Sequence, residues 1–194
     1  MTRKLHRTRS SARGAILLEV LVAMLITAFG ILGYVGIQAR TAVANLEAYQ
    51  RSQALILVND MSQRISVNRA NASSYVADGI GTSDPGDCAT KADEAARDIC
   101  EWAKSLRGAG ERQGTAMVGA ILNAYGCISA IDNLTSTRPR YQVAVAWQGI
   151  QPSGAPAFEC GKDEFSSESL RRAVAVVVQV ADLSAPATPP TPSP

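Results

Sequence analysis

The chain of 194 residues contains a single histidine, His6, near its N-terminus. Without the first 14 residues it would have no imidazole for general-base catalysis or for a Ser-His-Asp or Cys-His arrangement. The sequence also lacks a Walker-type phosphate-binding loop, and no strand is followed by glycines in a dinucleotide-binding pattern. We therefore predict no enzyme activity, no catalytic residue, no cofactor, no metal ion and no small-molecule substrate.

Acidic residues are missing from the first 14 positions, which hold five basic ones. Taking these five from the total of 19 basic residues leaves 14 against 17 acidic residues, a formal charge of −3 for the rest of the chain. A mildly acidic body has no sign of the basic face that an electrostatic nucleic-acid binder needs. Nucleic acid is therefore not an expected partner. The five basic residues are Arg3, Lys4, Arg7, Arg9 and Arg13.

Residues 15 to 39 form a long apolar run in which Glu19 is the one charged residue. As a helix with a rise of about 1.5 Å per residue, the run is longer than the ~30 Å hydrocarbon core of a bilayer. The basic excess precedes it and only Arg40 follows it closely, which places the N-terminus in the cytoplasm. The sequence predicts a single-pass membrane helix with a body on the periplasmic or outer side.

Glu19 is the unusual feature of that run, because a carboxylate in hydrocarbon costs about 2.5 kcal/mol or more. Such an acid is tolerated when a cation pairs with it. A simple membrane anchor with an incidental polar residue is the other interpretation.

Gly14 and the following Ala-Ile-Leu-Leu-Glu, continued by apolar residues to Ile26, resemble the class III signal of type IV pilins and pseudopilins. In that family a prepilin peptidase cleaves after the glycine and N-methylates the new first residue, and the apolar helix becomes the packing core of a filament. The resemblance implies that Gly14 ends the leader, that Ala15 is the N-methylated N-terminus, and that Glu19 pairs with the α-amino group of a neighbouring subunit and sets the register. Family members commonly begin the mature chain with phenylalanine, whereas this chain has alanine.

Downstream, apolar residues recur every three or four positions between Thr41 and Ala70, which predicts an amphipathic continuation of the first helix. Residues 78 to 87 are predicted to be a turn-rich loop. A short helix is predicted from Thr90, a possible N-cap, to Gly108, with Trp102 packed in the core.

The residue pattern then alternates with a period of two at 141 to 148 and 173 to 180, which predicts strands, and a less regular third strand is expected within 117 to 131. These elements predict an α+β fold: a long N-terminal helix, half transmembrane, packed on a small antiparallel sheet, with a short helix in the connection. This order matches the pilin fold. The predicted divisions are a leader at 1–14, a transmembrane helix at 15–39, a periplasmic head at 40–183 and a Pro-rich disordered tail at 184–194.

Segments of the body around Trp102, Cys127, Trp147 and Arg171 are similar to a branch of the family, the type IV pilus modification proteins (PilV). These are minor pilins, thought to prime pilus assembly with other minor pilins and to stay at the filament tip. The resemblance implies the prepilin peptidase, other minor pilins, the major pilin and the inner membrane as partners, and an extracellular pilus as the final location. A minor pseudopilin of a type II secretion system and a DNA-binding competence pilin are the alternatives.

Four cysteines, Cys88, Cys100, Cys127 and Cys160, follow the apolar run, on the side expected to be oxidising. An even number there favours disulfides, with three possible connectivities. We favour Cys88 with Cys100 and Cys127 with Cys160. A zinc site is the alternative, but no two cysteines have the short spacing of a zinc ligand pair.

Two charged clusters in the body have a functional and a plain interpretation. Asp163, Glu164 and Glu168 follow Gly161 and offer oxygen ligands for calcium, although the spacing of an EF-type loop is missing and a solvated acidic loop is the favoured interpretation. Four arginines could form a basic spot that binds DNA, but solvated strand ends are the favoured interpretation. They are Arg138, Arg140, Arg171 and Arg172.

Overall fold

The computed structural model describes residues 13–108, 112–113, 116–117, 121, 123–132 and 138–180. The expected leader residues 1 to 12 and the expected tail at 184–194 lie outside these ranges. The described helices and strands are α1 (Arg13–Val67), β1 (Ala77–Ile80), α2 (Glu94–Leu106), β2 (Arg112–Gln113), β3 (Ala116–Met117), β4 (Tyr125–Ala130), β5 (Arg140–Gln148) and β6 (Arg171–Gln179). The α+β prediction is confirmed: a long N-terminal helix packs on a small antiparallel sheet, and a short helix, α2, follows the first strand of that sheet in sequence.

The chain divides into two compact units, one ending at Leu46 and the other beginning at Glu47. In the first unit, the described part is the N-terminal portion of α1. Every side chain from Ile16 to Ala42 is exposed to solvent in the isolated chain. A helix that is apolar all round and buries none of these side chains has to find its apolar environment outside the chain.

The second unit contains a four-stranded sheet in the order β1-β4-β5-β6, with every neighbouring pair antiparallel. Strands β5 and β6 pair over nine residues, from Arg140 opposite Gln179 to Gln148 opposite Arg171. Strands β2 and β3 form a separate two-stranded pair. The prediction of three strands was incomplete, since β1 extends into the stretch predicted to be a loop.

One face of the sheet packs on the C-terminal half of α1 and on α2. The core is continuous across these elements, and its largest fully buried side chain is that of Trp102. Its indole Nε1 donates a hydrogen bond to the carbonyl of Leu57 at 2.9 Å, which confirms the packing role predicted for this residue. Gly126 in β4 makes room for it, because a Cβ there would lie 2.6 Å from Trp102 Cζ3. The core residues of α1 are Ala54, Val58, Met61 and Ile65.

Helix α2 begins later than the sequence predicted. Asp93 is its N-cap, and its carboxylate accepts a hydrogen bond from the backbone N–H of Ala96 at 2.8 Å. Thr90 was therefore the wrong cap; it ends a short 3₁₀ turn that starts at Cys88. An Asp side chain satisfies an otherwise unpaired N–H of the first helical turn as well as a threonine does, and it also interacts favourably with the positive end of the helix dipole.

The opposite face of the sheet carries a second, smaller core. Ala144 and Ala146 of β5 are buried on this face together with the cystine of Cys127 and Cys160, and Phe165 packs against them. Strand β5 is thus covered on both faces, whereas its alternation of valine with alanine predicted only one strongly apolar face.

Candidate membrane-anchoring and assembly helix

The N-terminal portion of α1 is the candidate functional element of the first unit. Among the described residues, the stretch Ile16–Val67 is the one helix long and apolar enough to cross a membrane, judged by length and composition, and none of its most apolar window is buried within the chain. The helix runs without a break through Gly30, Gly33 and Gly36. Leucine, isoleucine and alanine dominate the segment and are compatible with a helix, so the fold follows from local preference and from an apolar surrounding.

Most polar side chains of this segment find a partner within the helix. The hydroxyl of Thr27 donates to the carbonyl of Ala23 at 2.8 Å, one turn earlier. The amide of Gln38 donates to the hydroxyl of Tyr34 at 2.7 Å. Internal pairs of this kind lower the cost of polar groups in hydrocarbon. Glu19 differs, because its exposed carboxylate makes no hydrogen bond or ion pair with any residue that the structure describes.

The predicted processing site lies at the start of the same helix. The backbones of Gly14 and Ala15 are helical and lie in the first turns of α1. Glu19 follows Ala15 by four positions, which is about one turn along the same helix face. Cleavage after Gly14, methylation at Ala15 and the register role of Glu19 remain predictions.

In the second unit, Arg64 near the end of α1 joins this helix to α2. Its guanidinium Nη1 lies 2.7 Å from Asp98 Oδ1 and 2.8 Å from Glu101 Oε2, and its Nε lies 3.2 Å from Asp60 Oδ2. Asp98 is nearly buried, so the guanidinium supplies the positive charge that this carboxylate requires.

Tyr75, just before β1, completes this cluster. Its hydroxyl donates to Asp98 Oδ2 at 2.5 Å and accepts from Asn68 Nδ2 at 3.1 Å. Burial of the phenol, followed by its hydrogen bond to Asp98, raises the pKa of Tyr75 to about 12. Sequence reasoning missed the Arg64–Asp98–Tyr75 cluster. The available signal was an acid, Asp98, on a helix face that otherwise carries apolar residues.

Two disulfides fasten the loops of the second unit. Cys88 is bonded to Cys100 across a separation of 12 residues, with their Cα atoms 5.5 Å apart. Cys127 is bonded to Cys160 across 33 residues, with Cα atoms 5.8 Å apart. These are the two pairs that the sequence favoured, and among the described cysteines none is free.

The acidic loop considered for calcium is organised around a buried arginine instead. The guanidinium of Arg171, which is 2% exposed, donates to the carbonyls of Pro156, Phe158 and Cys160 and lies 2.6 Å from Glu168 Oε2. The other carboxylate oxygen of Glu168 accepts from the N–H of Asp163 at 2.9 Å. The hydrogen bond from Arg171, then the one from Asp163, lowers the pKa of Glu168. In the described ranges no group of three potential metal ligands converges here or elsewhere.

The four arginines considered for DNA do not form a free basic patch. Arg171 is buried, and Arg140 makes two hydrogen bonds of 2.7 Å to the carboxylate of Asp132. Arg172 donates to the carbonyls of Gln151 and Ser169 and lies 3.5 Å from Glu47 Oε1. Arg138 also has an interaction partner. Guanidinium groups that already hold carboxylates and carbonyls are poorly available to phosphates.

Comparison with known proteins adds one match. Residues 36–103 match the Tt1218-like family, described as type IV pilin Tt1218. This range is about a third of the chain, and it begins after the stretch from Gly14 to Ile26 that resembles a pilin signal. The two similarities therefore concern different parts of the chain, and the match supports a type IV pilin subunit. No curated protein and no solved structure matches the chain.

Proposed function

We propose that this chain is a minor pilin of the PilV type, a structural subunit that primes type IV pilus assembly together with other minor pilins and enters the filament, at its tip. The observation that carries the proposal is the carboxylate of Glu19, which has no partner among the described residues and lies on an apolar helix whose side chains from Ile16 to Ala42 are exposed. The similarity of residues 36–103 to a type IV pilin family supports it from a separate part of the chain.

The proposed mechanism begins with proteolysis. A prepilin peptidase cleaves after Gly14 and methylates the new N-terminus at Ala15. The new α-amino group is a cation at the end of an apolar helix, and the Glu19 carboxylate of a neighbouring subunit is the anion that matches it. Within hydrocarbon each charge alone is costly, so pairing favours one axial offset between neighbouring helices over all others. The pair thus contributes mainly to register, and the apolar side chains contribute most of the contact.

Before assembly, the same helix holds the protein in the inner membrane with its head in the periplasm. The head is suited to a structural role because it is closed by its own core, two disulfides and the Arg64–Asp98–Tyr75 cluster. A rigid head can present a fixed surface to other minor pilins and to the major pilin. Co-purification with these pilins is the expected result, whereas recovery with components of a type II secretion system would favour a pseudopilin instead.

Replacing Glu19 tests the proposal. In Glu19→Ala the protein should still insert into the inner membrane, because the substitution makes the helix more apolar, but its incorporation into pili should fall at least about tenfold. Thr27→Val is the matched control, since it removes another polar group of the same helix whose hydrogen bond is internal. Immunoblots of sheared pili and of membranes measure both quantities. Equal incorporation of Glu19→Ala and the wild type would refute the role of Glu19.

A further inference from the structure

Strand β1 contains a bulge at the sequence Asp78-Gly79. On either side of it β1 pairs with β4, at Ala77 and at Ile80, but these two positions have two residues between them, whereas their partners on β4 have one. Gly79 has φ +68°, which a glycine adopts without steric cost and which departs from an extended strand. A bulge of this kind interrupts the ladder of hydrogen bonds locally.

The bulge leaves the backbone N–H of Gly79 without an acceptor among the residues that the structure describes. Ile131, directly after β4, donates to the carbonyl of Arg140 at 2.9 Å, so the odd-numbered residues of β4 bond to the β5 side. Because bonding direction alternates along an antiparallel strand, the even-numbered residues of β4 bond to Ala77 and Ile80 of β1. The backbone groups between these two positions therefore point away from β4. No described residue outside the strands accepts from the Gly79 N–H either.

The side chain of Asp78 is held only weakly. It is exposed, and among the described residues its carboxylate makes no ion pair. It accepts a hydrogen bond from the hydroxyl of Tyr125 at 3.3 Å, which is long for a bond between two oxygens. The carboxyl group is thus free to turn toward the N–H of the residue that follows it.

We propose that the Asp78-Gly79 peptide is a site of spontaneous modification, at which aspartate converts to isoaspartate. The Gly79 nitrogen attacks Cγ of the protonated Asp78 carboxyl group. A bond between nitrogen and Cγ forms, and the amide proton leaves with the carboxyl hydroxyl as water. Glycine favours this step because it has no Cβ to shield the attacking nitrogen.

Solvent water then opens the five-membered succinimide ring. When water adds to the α-carbonyl carbon of Asp78, the bond from that carbon to the Gly79 nitrogen breaks. The main chain then runs through the former side chain as isoaspartate. When water adds to Cγ instead, the bond from Cγ to nitrogen breaks and aspartate is restored. The two water molecules balance, and no oxidant, reductant or enzyme is required.

Three other aspartates of the described chain lack this combination of features. Asp84 precedes Pro85, whose nitrogen carries no hydrogen. Asp60 lies within α1, where the N–H of the next residue is bonded along the helix. The carboxylate of Asp132 is held by two hydrogen bonds of 2.7 Å from Arg140. Asp60 and Asp132 therefore serve as references within the same chain.

The modification adds one atom to the backbone of β1 between its two pairs with β4. Ile80 is 6% exposed in the core, and a Cβ on the next residue, Gly81, would lie 3.0 Å from the Cβ of Leu106. A longer backbone cannot keep both the pair at Ala77 and this close packing. The modified protein should therefore unfold at a lower temperature than the unmodified protein.

This chemistry does not depend on the assignment as a pilin, and the purified full-length protein in detergent is sufficient to test it. After incubation at neutral pH, isoaspartate is located by peptide mapping with electron-transfer fragmentation and quantified with an isoaspartyl methyltransferase. We expect it at Asp78, about tenfold or more above Asp60 and Asp132. The rate in the folded protein should lie within about tenfold of the rate in urea, because the bulge leaves the attacking N–H accessible. Circular dichroism and the retained disulfides establish that the incubated protein is folded.

Two substitutions of the exposed Asp78 side chain are matched controls. Asp78→Glu keeps the negative charge but requires a six-membered ring for the same attack, so the signal at this position should disappear. Asp78→Asn forms the same succinimide by loss of ammonia instead of water, so it should raise the rate about tenfold or more.

Three outcomes would overturn the proposal. They are isoaspartate at Asp78 no higher than at Asp60 in the folded wild type, its formation only in urea, and an equal methyltransferase signal from folded Asp78→Glu.

Discussion

The N-terminal portion of α1 and the head that begins at Glu47 differ in whether their apolar and charged side chains find partners within the chain. The head buries a continuous apolar core, pairs its buried charges Asp98 and Arg171 and closes its loops with disulfides. The apolar helix leaves every side chain from Ile16 to Ala42 exposed and leaves Glu19 without a partner among the described residues. The head thus supplies an apolar core of its own, whereas the helix requires an apolar surrounding that, in our proposal, the membrane and neighbouring subunits provide.

A substitution in the core of the head should have the largest effect on the free energy of unfolding. Trp102 is fully buried and donates a hydrogen bond to Leu57, so Trp102→Ala removes both burial and a paired polar group. We expect the free energy of unfolding to fall by about 3–5 kcal/mol, measured by urea denaturation of the full-length protein in detergent. Val67→Ala, at an exposed position, should change it by less than about 0.5 kcal/mol. Similar losses in both variants would mean that the head lacks the tight core described above.

The two disulfides should stabilise the head unequally. Cys127 and Cys160 close 33 residues, whereas Cys88 and Cys100 close 12. A cross-link restricts the unfolded chain more strongly when it closes a longer loop. Replacing Cys127 and Cys160 with serine should therefore lower the free energy of unfolding by about 1 kcal/mol more than replacing Cys88 and Cys100. Melting of the two double variants measures this difference. An equal cost, or a greater cost for the shorter loop, would contradict the entropic explanation.

Alkaline pH should weaken the head through Tyr75. Its pKa is raised to about 12 in the folded protein, and an unfolded tyrosine titrates near pH 10. Below pH 10 the phenol is neutral in both states. Between pH 10 and 12 the unfolded chain loses the proton first, so the free energy of unfolding should fall as pH rises, by about 2 kcal/mol in total.

The control for this pH effect is Tyr75→Phe. In this variant the fall in the free energy of unfolding that Tyr75 causes at alkaline pH should disappear. Burial also raises the pKa of Tyr125 and Tyr141, so a smaller decline should remain in the variant. Urea denaturation at several pH values from 8 to 11 gives both slopes. Identical slopes for the variant and the wild type would exclude Tyr75 as a source.

The smallest effect on the free energy of unfolding of the head should come from a substitution in the apolar helix. Glu19→Ala removes a side chain with no described partner in the chain, so the free energy of unfolding of the head should change by less than about 0.5 kcal/mol. The same variant should lose incorporation into pili. Denaturation monitored by near-UV circular dichroism separates the two effects, and a large loss of head stability would show that the two regions are not independent in the way we describe.

Residues with strong local patterns were predicted well. The alternation around Tyr141 and Val174 predicted β5 and β6, and the spacing of Val58 and Met61 predicted the buried face of α1. Strand β1 was missed because its sequence, Ala-Asp-Gly-Ile, reads as a turn and becomes a strand only through pairing with β4.

Features built from distant residues had little local signal. Arg64 and Asp98 are 34 positions apart, and the one local sign of their pairing was the acid Asp98 on an otherwise apolar face of α2. The second core was missed because Ala144 and Ala146 are too small to mark a buried face, and the loop that supplies Phe165 has no periodic pattern. For the apolar helix, the sequence predicted an apolar segment with one acid, but the partner of Glu19 lies outside the chain in our account.

The most direct test of the central claim is the intact mass and N-terminal sequence of the protein recovered from its native membranes and pili. We expect a chain that begins at Ala15 and carries an N-methyl group, because in our proposal the new α-amino group at Ala15 pairs with Glu19 of a neighbouring subunit. A protein that still carries residues 1 to 14 within assembled pili would contradict it.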